Sequence, residues 1–217
     1  MIPREENNML RLSHALTLGA ALLLLSACTE STTFISTWKA PDVTTIAPGN
    51  RTVAAIFVST NESQRRAAED TMAADLTARG RHGIPSYAML PGNERMTAEV
   101  ARARLKDAGA SGVVMMRVVA KDQQVTYTPG APMPSYYGGF GPYWGYGWNN
   151  AYSQGSIQTD TLVSVETLIY SLDQDKLLWA ATSRTTNPSD LQTLINEVAN
   201  ATVNEMIKQG MLPAPKT

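Results

Sequence analysis

One cysteine stands in a chain of 217 residues, so no internal disulfide framework and no cluster of thiolate ligands can form. Two histidines are too few for a His-rich metal site. Basic charge is not in excess: 18 Lys and Arg face 19 Asp and Glu, for a net charge of −1. Nucleic-acid binders usually carry a basic footprint, and this chain has none to offer phosphates. The chain has no Gly-x-Ser-x-Gly elbow, and Gly138-Gly139-Phe140-Gly141 lacks the Lys-Ser/Thr of a phosphate loop. What remains is ordinary core-forming material, with 43% hydrophobic and 17% charged residues, enough for one folded domain.

The amino-terminal part reads as an address. Residues 15–25 form an uncharged apolar run, the length of a signal-peptide h-region. A membrane-spanning helix needs about 20 apolar residues. Leu25-Ser26-Ala27-Cys28 follows at once and resembles the bacterial lipobox. Small residues admit the peptidase to extended backbone, and the Cys28 sulfur accepts the diacylglyceryl group. Residues 1–27 are therefore expected to be removed and Cys28 to be lipidated. Two or more acyl chains anchor a protein stably where one binds marginally. Thr29 follows the cysteine. By the sorting rule of proteobacterial lipoproteins, the absence of Asp there implies the outer membrane. Glu5 and Glu6 offset Arg4 ahead of the h-region, whereas a start at Met9 would give a conventional basic leader, Met9-Leu10-Arg11-Leu12.

Beyond Cys28, residues 28–50 are rich in Thr, Ser and Pro and read as a tether with a short strand at Phe34–Trp38. Thr52–Ser59 is a nearly continuous apolar run and suits a strand covered on both faces. Ser59, Thr60 or Asn61 can cap a helix running to Arg79, with Ala68, Met72 and Leu76 inward and Gly80 at its end. Gln64-Arg65-Arg66 and Glu69-Asp70 alternate in sign and read as its solvated face. A strand at Ile84–Leu90, a helix capped by Thr97 and ended by Gly109, and a strand at Gly112–Lys121 follow. Strand-helix alternation argues βαβ units. Thr161–Leu172 and Lys176–Thr186 flank Asp173-Gln174-Asp175 and read as a hairpin. The expected register sets Leu172 against Leu177, Tyr170 against Trp179 and Glu166 against Ser183. Asn187-Pro188 opens a last helix whose buried stripe is Leu191, Leu194, Ile195, Val198, Ala201, Thr202 and Met206. The fold expected over residues 51–212 is a single α/β domain, βαβαβ-ββ-α. Its five-stranded mixed sheet has order 2-1-3-4-5 with helices on its faces, and residues 213–217 form a frayed tail.

The insert at 123–159 is the unusual feature. No charged residue occurs between Asp122 and Asp160, yet nine of the fifteen aromatics lie there. Gly and Pro at this density resist helix and long strand. One reading is a low-complexity spacer. The other is a contact surface, for which Tyr and Trp supply large amphipathic area at low rotamer cost. Tyr136, Tyr137, Trp144, Tyr146 and Trp148 are the candidate contact residues. Pro129, Pro132, Pro134 and Pro142 would interrupt a pore-forming hairpin.

Catalytic chemistry finds little to work with. His82 sits in a helix-to-strand turn and reads as a solvent-exposed turn residue. Glu166 lies mid-strand, where Arg117 or Arg184 can pair with it. A catalytic role would need a second poised group. No catalytic residue, metal or cofactor is expected.

Several segments together carry a family resemblance: Ser36-Thr37-Trp38-Lys39-Ala40-Pro41-Asp42, Arg65-Arg66 with Glu69-Asp70, and Pro85-Ser86-Tyr87 with Leu90-Pro91. Gly109-Ala110 with Gly112-Val113, Val165-Glu166 with Leu168-Ile169-Tyr170, and Lys176-Leu177-Leu178-Trp179 with Ser183, Thr185 and Pro188 continue it. These resemble a family of uncharacterised bacterial lipoproteins with a Tyr/Trp/Gly-rich insert; Ile169 and Ser171 depart from the commoner Leu-Tyr-Asp. The order of elements is also similar to the α/β domains of the curli-secretion lipoprotein and of the amino-terminal domain of the Tol propeller protein. The family brings no known activity and no site residue; the lipobox, with the analogy to those two assembly domains, leads to the expectation of a lipid-anchored, periplasm-facing, non-enzymatic envelope protein that binds a partner or helps an assembly. Its partners would be the membrane, through Cys28, and an envelope protein or the cell wall, and not nucleic acid. The alternative is an enzyme acting on cell-wall or lipid substrates.

Overall fold

The computed structural model describes residues 31–46, 51–90, 96–128, 140–142, 144, 145, 148 and 155–214. They belong to a compact unit that starts at Ser31. Its strands are β1 (Thr32–Lys39), β2 (Thr52–Phe57), β3 (His82–Pro85), β4 (Gly112–Thr128), β5 (Ser156–Ser171) and β6 (Lys176–Thr186). Its helices are α1 (Glu62–Ala78), α2 (Ala98–Asp107) and α3 (Leu191–Lys208). All strands join one mixed sheet in order β1-β6-β5-β4-β2-β3. β2 runs parallel to β3 and β4, and the remaining pairs are antiparallel.

The expected five-stranded sheet is thus corrected to six strands. The sixth is β1, drawn from the segment read as a tether. Thr32 and Phe34 point inward: the Thr32 hydroxyl meets that of Thr185 at 2.7 Å, and the Phe34 ring meets Trp179 edge-on at 6.0 Å. These contacts are long-range in sequence, so local composition could not reveal them.

α1 and α3 pack together over one face of the sheet. Ala68, Met72 and Ala73 of α1 meet Leu194, Ile195, Val198 and Ala199 of α3 above Phe57, Met116, Val163 and Val165. Further along the same face, Trp179 and Ala181 are buried with Met206 and Met211. The Trp179 indole N–H donates to Gln209 Oε1 at 3.1 Å. α2 covers part of the other face, where Leu105 packs with Ala54, Val113 and Leu172.

Local signals set the helix ends. Asn61 and Thr97 cap α1 and α2 by accepting from the backbone N–H of Gln64 and Val100. Gly80, at φ +78, stands beyond the end of α1. The cap expected at Asn187 is corrected to Asp190, which accepts from Thr193 N–H. Asn187 adopts φ +51 instead, and its side chain serves a different element.

Two further expectations change. The hairpin register slips by two residues beside the turn, where Tyr170 faces Leu177, and by one beyond a bulge, where Ile169 faces Trp179 and Glu166 faces Thr182. The slip places Trp179, Ala181, Ser183 and Thr185 together on the helix-covered face, where all four are buried. Second, α1 does not carry a wholly solvated charged face. Glu69 is fully buried. Its carboxylate accepts from Phe57 N–H at 3.2 Å, Arg65 Nε at 3.1 Å, Ser86 Oγ at 2.8 Å and Tyr87 N–H at 2.7 Å. One acid therefore ties α1 to β2 and to the 3₁₀ turn Ser86–Ala88. Beside it, Tyr87 donates to Asp70 at 2.6 Å and lies under the Arg66 guanidinium.

Candidate functional site

The feature that leaves the body of the sheet is the β4–β5 hairpin. β2 supports β4 only as far as Met116, and β6 supports β5 only as far as Leu162, the partner of Asp122. Beyond that level no third strand flanks Gln123–Thr128 and Ser156–Thr161 among the described residues. Six residue pairs at about 3.4 Å per residue make a free two-stranded ribbon roughly 20 Å long. Its strands form because Gln-Gln-Val-Thr-Tyr-Thr and Ser-Ile-Gln-Thr are β-branched or polar, without Gly or Pro. The expectation that the insert resists long strand holds poorly at these two ends.

Charge stops where the ribbon starts. Asp122 faces Leu162 and Asp160 faces Gln124, so both acids that bracket the uncharged run sit at its base. Asn187 fastens that base: its side-chain N–H donates to Asp160 Oδ1 at 2.7 Å, and its Oδ1 accepts from Thr161 N–H at 2.7 Å. The Asn187 bond, helped by one from Gln158, holds the Asp160 carboxyl below its ordinary pKa. The left-handed backbone at Asn187 lets its amide reach across to β5, a role that its position before Pro188 concealed.

The ribbon's apolar side chains fall on one side. Val125, Tyr127 and Ile157 continue the face that carries Val163 and Val165, but α3 does not reach them. Ile157 is 72% exposed and Val125 66%. The Tyr127 ring lies across the backbone of Gly155, where any Cβ would clash with it. On the connection between the strands, Phe140, Trp144 and Trp148 are spaced by four and stack in sequence, each pair of centroids 5.6 Å apart. Phe140 is 79% exposed, Trp144 55% and Trp148 49%. Of the five candidate contact residues, Trp144 and Trp148 thus stand together at a surface. Tyr136, Tyr137 and Tyr146 lie outside the described residues, as does Cys28.

No family model matches the chain, and no curated protein matches it. Solved structures do. A PelC dodecamer from Paraburkholderia phytofirmans matches at 14% identity, covering 83% of this chain and 99% of that one, with a TM-score of 0.43. Lipoprotein GNA1162 from Neisseria meningitidis matches at 14% identity over 74% of this chain and 99% of that one, with a TM-score of 0.39. At this overlap neither says what the present chain does.

A second surface is the sheet face opposite α3. Trp38, Ala180, Leu168 and Met115 form one cross-strand row there, and Trp38 is exposed. The next row is polar: Ser36, Thr182, Glu166 and Arg117. Of the two arginines considered for Glu166, Arg117 takes it, at 2.5 Å from Nε. That bond raises the Arg117 pKa above its ordinary value. Glu166 is therefore an ion-paired strand residue. His82 opens β3 and is exposed. Among the described residues no group of three or more His, Cys, Asp or Glu could hold a metal ion. Among them, too, no helix is long and apolar enough to cross a membrane. The acid that sequence reasoning missed is Glu69. Its spacing to Met72, Ala73 and Leu76 follows the 3-4-7 pattern of an inward helix face, a signal its charge had overridden.

Proposed function

We propose that the mature chain is a lipid-anchored envelope protein, on the outer membrane and facing the periplasm, whose α/β domain is a non-enzymatic binding or assembly module. The observation that carries the reading is the junction of address and fold. Leu25-Ser26-Ala27-Cys28 ends three residues before Ser31, where the compact unit begins. A cleavage before Cys28 would fall outside that unit. The free ribbon and its exposed aromatics support the module reading, because a projecting apolar surface is what a partner would cover. The likeness to the curli-secretion and Tol domains enters only as analogy, since fold does not carry function.

The enzyme alternative would need a poised group beside Glu166, whose carboxylate is engaged by Arg117. Replacing Cys28 by Ser in cells tests the anchor. The wild-type chain is expected to take up labelled fatty acid and fractionate with membranes. The variant is expected to lose the label and appear soluble or unprocessed. Identical labelling and fractionation of the two would refute it. Crosslinking the intact lipoprotein in cells tests the module: a specific envelope partner supports it, and turnover of a cell-wall or lipid substrate by the purified protein would overturn it.

A further inference from the structure

We infer that the β4–β5 ribbon docks on a lipid bilayer, with Val125, Tyr127, Ile157, Phe140, Trp144 and Trp148 entering the interface. The inference rests on the lipid-anchor reading and follows from where the fold begins. Thr186 N–H donates to Ser31 C=O at 3.0 Å, and Thr32 faces Thr185. Thr186 in turn faces Leu162, the last β5 residue paired with β6. Ser31 therefore stands at the end of the sheet from which the ribbon projects.

Chain length then limits where the membrane can be. Cys28 is three residues from Ser31. Whatever its conformation, that link spans at most about 11 Å. β1 has eight residues and runs away from this end for roughly 27 Å. An acylated Cys28 could not reach round to the opposite end of the sheet. The bilayer surface must pass close to the ribbon's base, and the ribbon is longer than the link. If the strands stand upright the tip passes into the headgroup layer. If the domain leans, the ribbon lies along the surface.

The ribbon's chemistry suits that place. From Gln123 to Thr159 there is no charge to desolvate. The nearest acids, Asp122 and Asp160, stay at the base, where Asn187 holds Asp160. Trp and Tyr favour the interface because their rings are amphipathic. Trp144 and Trp148 offer two such rings side by side, with the apolar Phe140 ring against Trp144.

The test uses the full acylated protein reconstituted in phosphatidylethanolamine/phosphatidylglycerol vesicles whose acyl chains carry bromine, a quencher of tryptophan emission. The wild-type protein is expected to float with the vesicles and to be quenched, with its emission shifted to the blue. The double variant Trp144→Gln/Trp148→Gln is expected to float equally, because the anchor is intact, and to lose the quenching. Its two remaining tryptophans report on the body: Trp179 is buried and Trp38 lies on the sheet face. Flotation with wild-type emission no more quenched than the variant's would overturn this inference alone. It would also be the result if the ribbon were covered by a second copy or by another protein. Failure of the acylated protein to float would overturn the anchor reading, and this inference with it.

Discussion

Glu69→Ala removes the acceptor of four hydrogen bonds where α1, β2 and the 3₁₀ turn meet. Arg65, whose side chain is 11% exposed, loses that carboxylate while still facing Glu62 at 3.4 Å and the Leu90 carbonyl at 3.0 Å. Removing one partner of a buried ion pair costs about 3–5 kcal/mol, because the other charge stays buried. The stranded N–H groups of Phe57 and Tyr87 belong to the same loss and are not added again. For a domain of this size about 3–5 kcal/mol corresponds to a fall in Tm of roughly 6–20 °C. Ser86→Ala deletes one donor to the carboxylate and should cost less, about 1.5–3 kcal/mol. Replacing both members, as in Arg65→Leu/Glu69→Leu, should recover part of the loss, since the Arg65 charge is gone while the Phe57 and Tyr87 N–H groups and Ser86 Oγ stay stranded. Urea unfolding of the mature chain, with the m-value checked for constancy, measures all three. A loss below about 1 kcal/mol for Glu69→Ala would refute the argument from a buried, fully engaged carboxylate. So would a double variant no more stable than Glu69→Ala.

Other predictions use the same assay. Gly83 lies against α1, where an added Cβ would fall 2.2 Å from the Ala73 carbonyl oxygen; Gly83→Ala should destabilise by about 1–3 kcal/mol as α1 is forced off the sheet, and an unchanged urea midpoint would contradict the close approach. Asp190 is held below its ordinary pKa chiefly by the bond from Thr193 N–H. A depressed folded pKa gives stability that is present above the unfolded value of about 3.9 and lost as pH falls through the folded value; Asp190→Asn should therefore flatten the fall in urea midpoint on acidification, and equal slopes would refute the cap. Joining Val125 to its partner Thr159 through an Asn-Gly turn keeps the Asp160–Asn187 bond and removes most of the ribbon; the urea midpoint should hold or rise, because about four halvings of loop length at about 0.6 kcal/mol each favour the shorter chain. A large drop would show that the insert covers the sheet.

What the sequence discloses here is mostly local. Apolar runs located β2 and β4, and cap residues located the starts of α1 and α2, because each depends on neighbours in the chain. The short strand expected at Phe34–Trp38 is part of β1, but its place as a sixth strand of the sheet depends on Thr185 and Trp179 receiving Thr32 and Phe34. The β5–β6 register differs from expectation because pairing begins at Ser171 and Lys176, two residues off, and a bulge at Leu178, invisible in alternation alone, takes one of the two back. Glu69 was read as solvated because charge was weighed above spacing. Its partners Phe57, Ser86 and Tyr87 come from other elements. The uncharged insert was conspicuous from composition. That Asp122 and Asp160 bracket a projecting ribbon, with Ser31 at the same end, emerges only from the strand pairing.

The most direct measurement is the intact mass of the protein extracted from membranes, with its amino-terminal peptide sequenced by mass spectrometry. The account predicts a chain that lacks residues 1–27 and begins at Cys28, with a diacylglyceryl thioether on its sulfur. A chain that keeps the leader, begins elsewhere, or carries an unmodified Cys28 would contradict it.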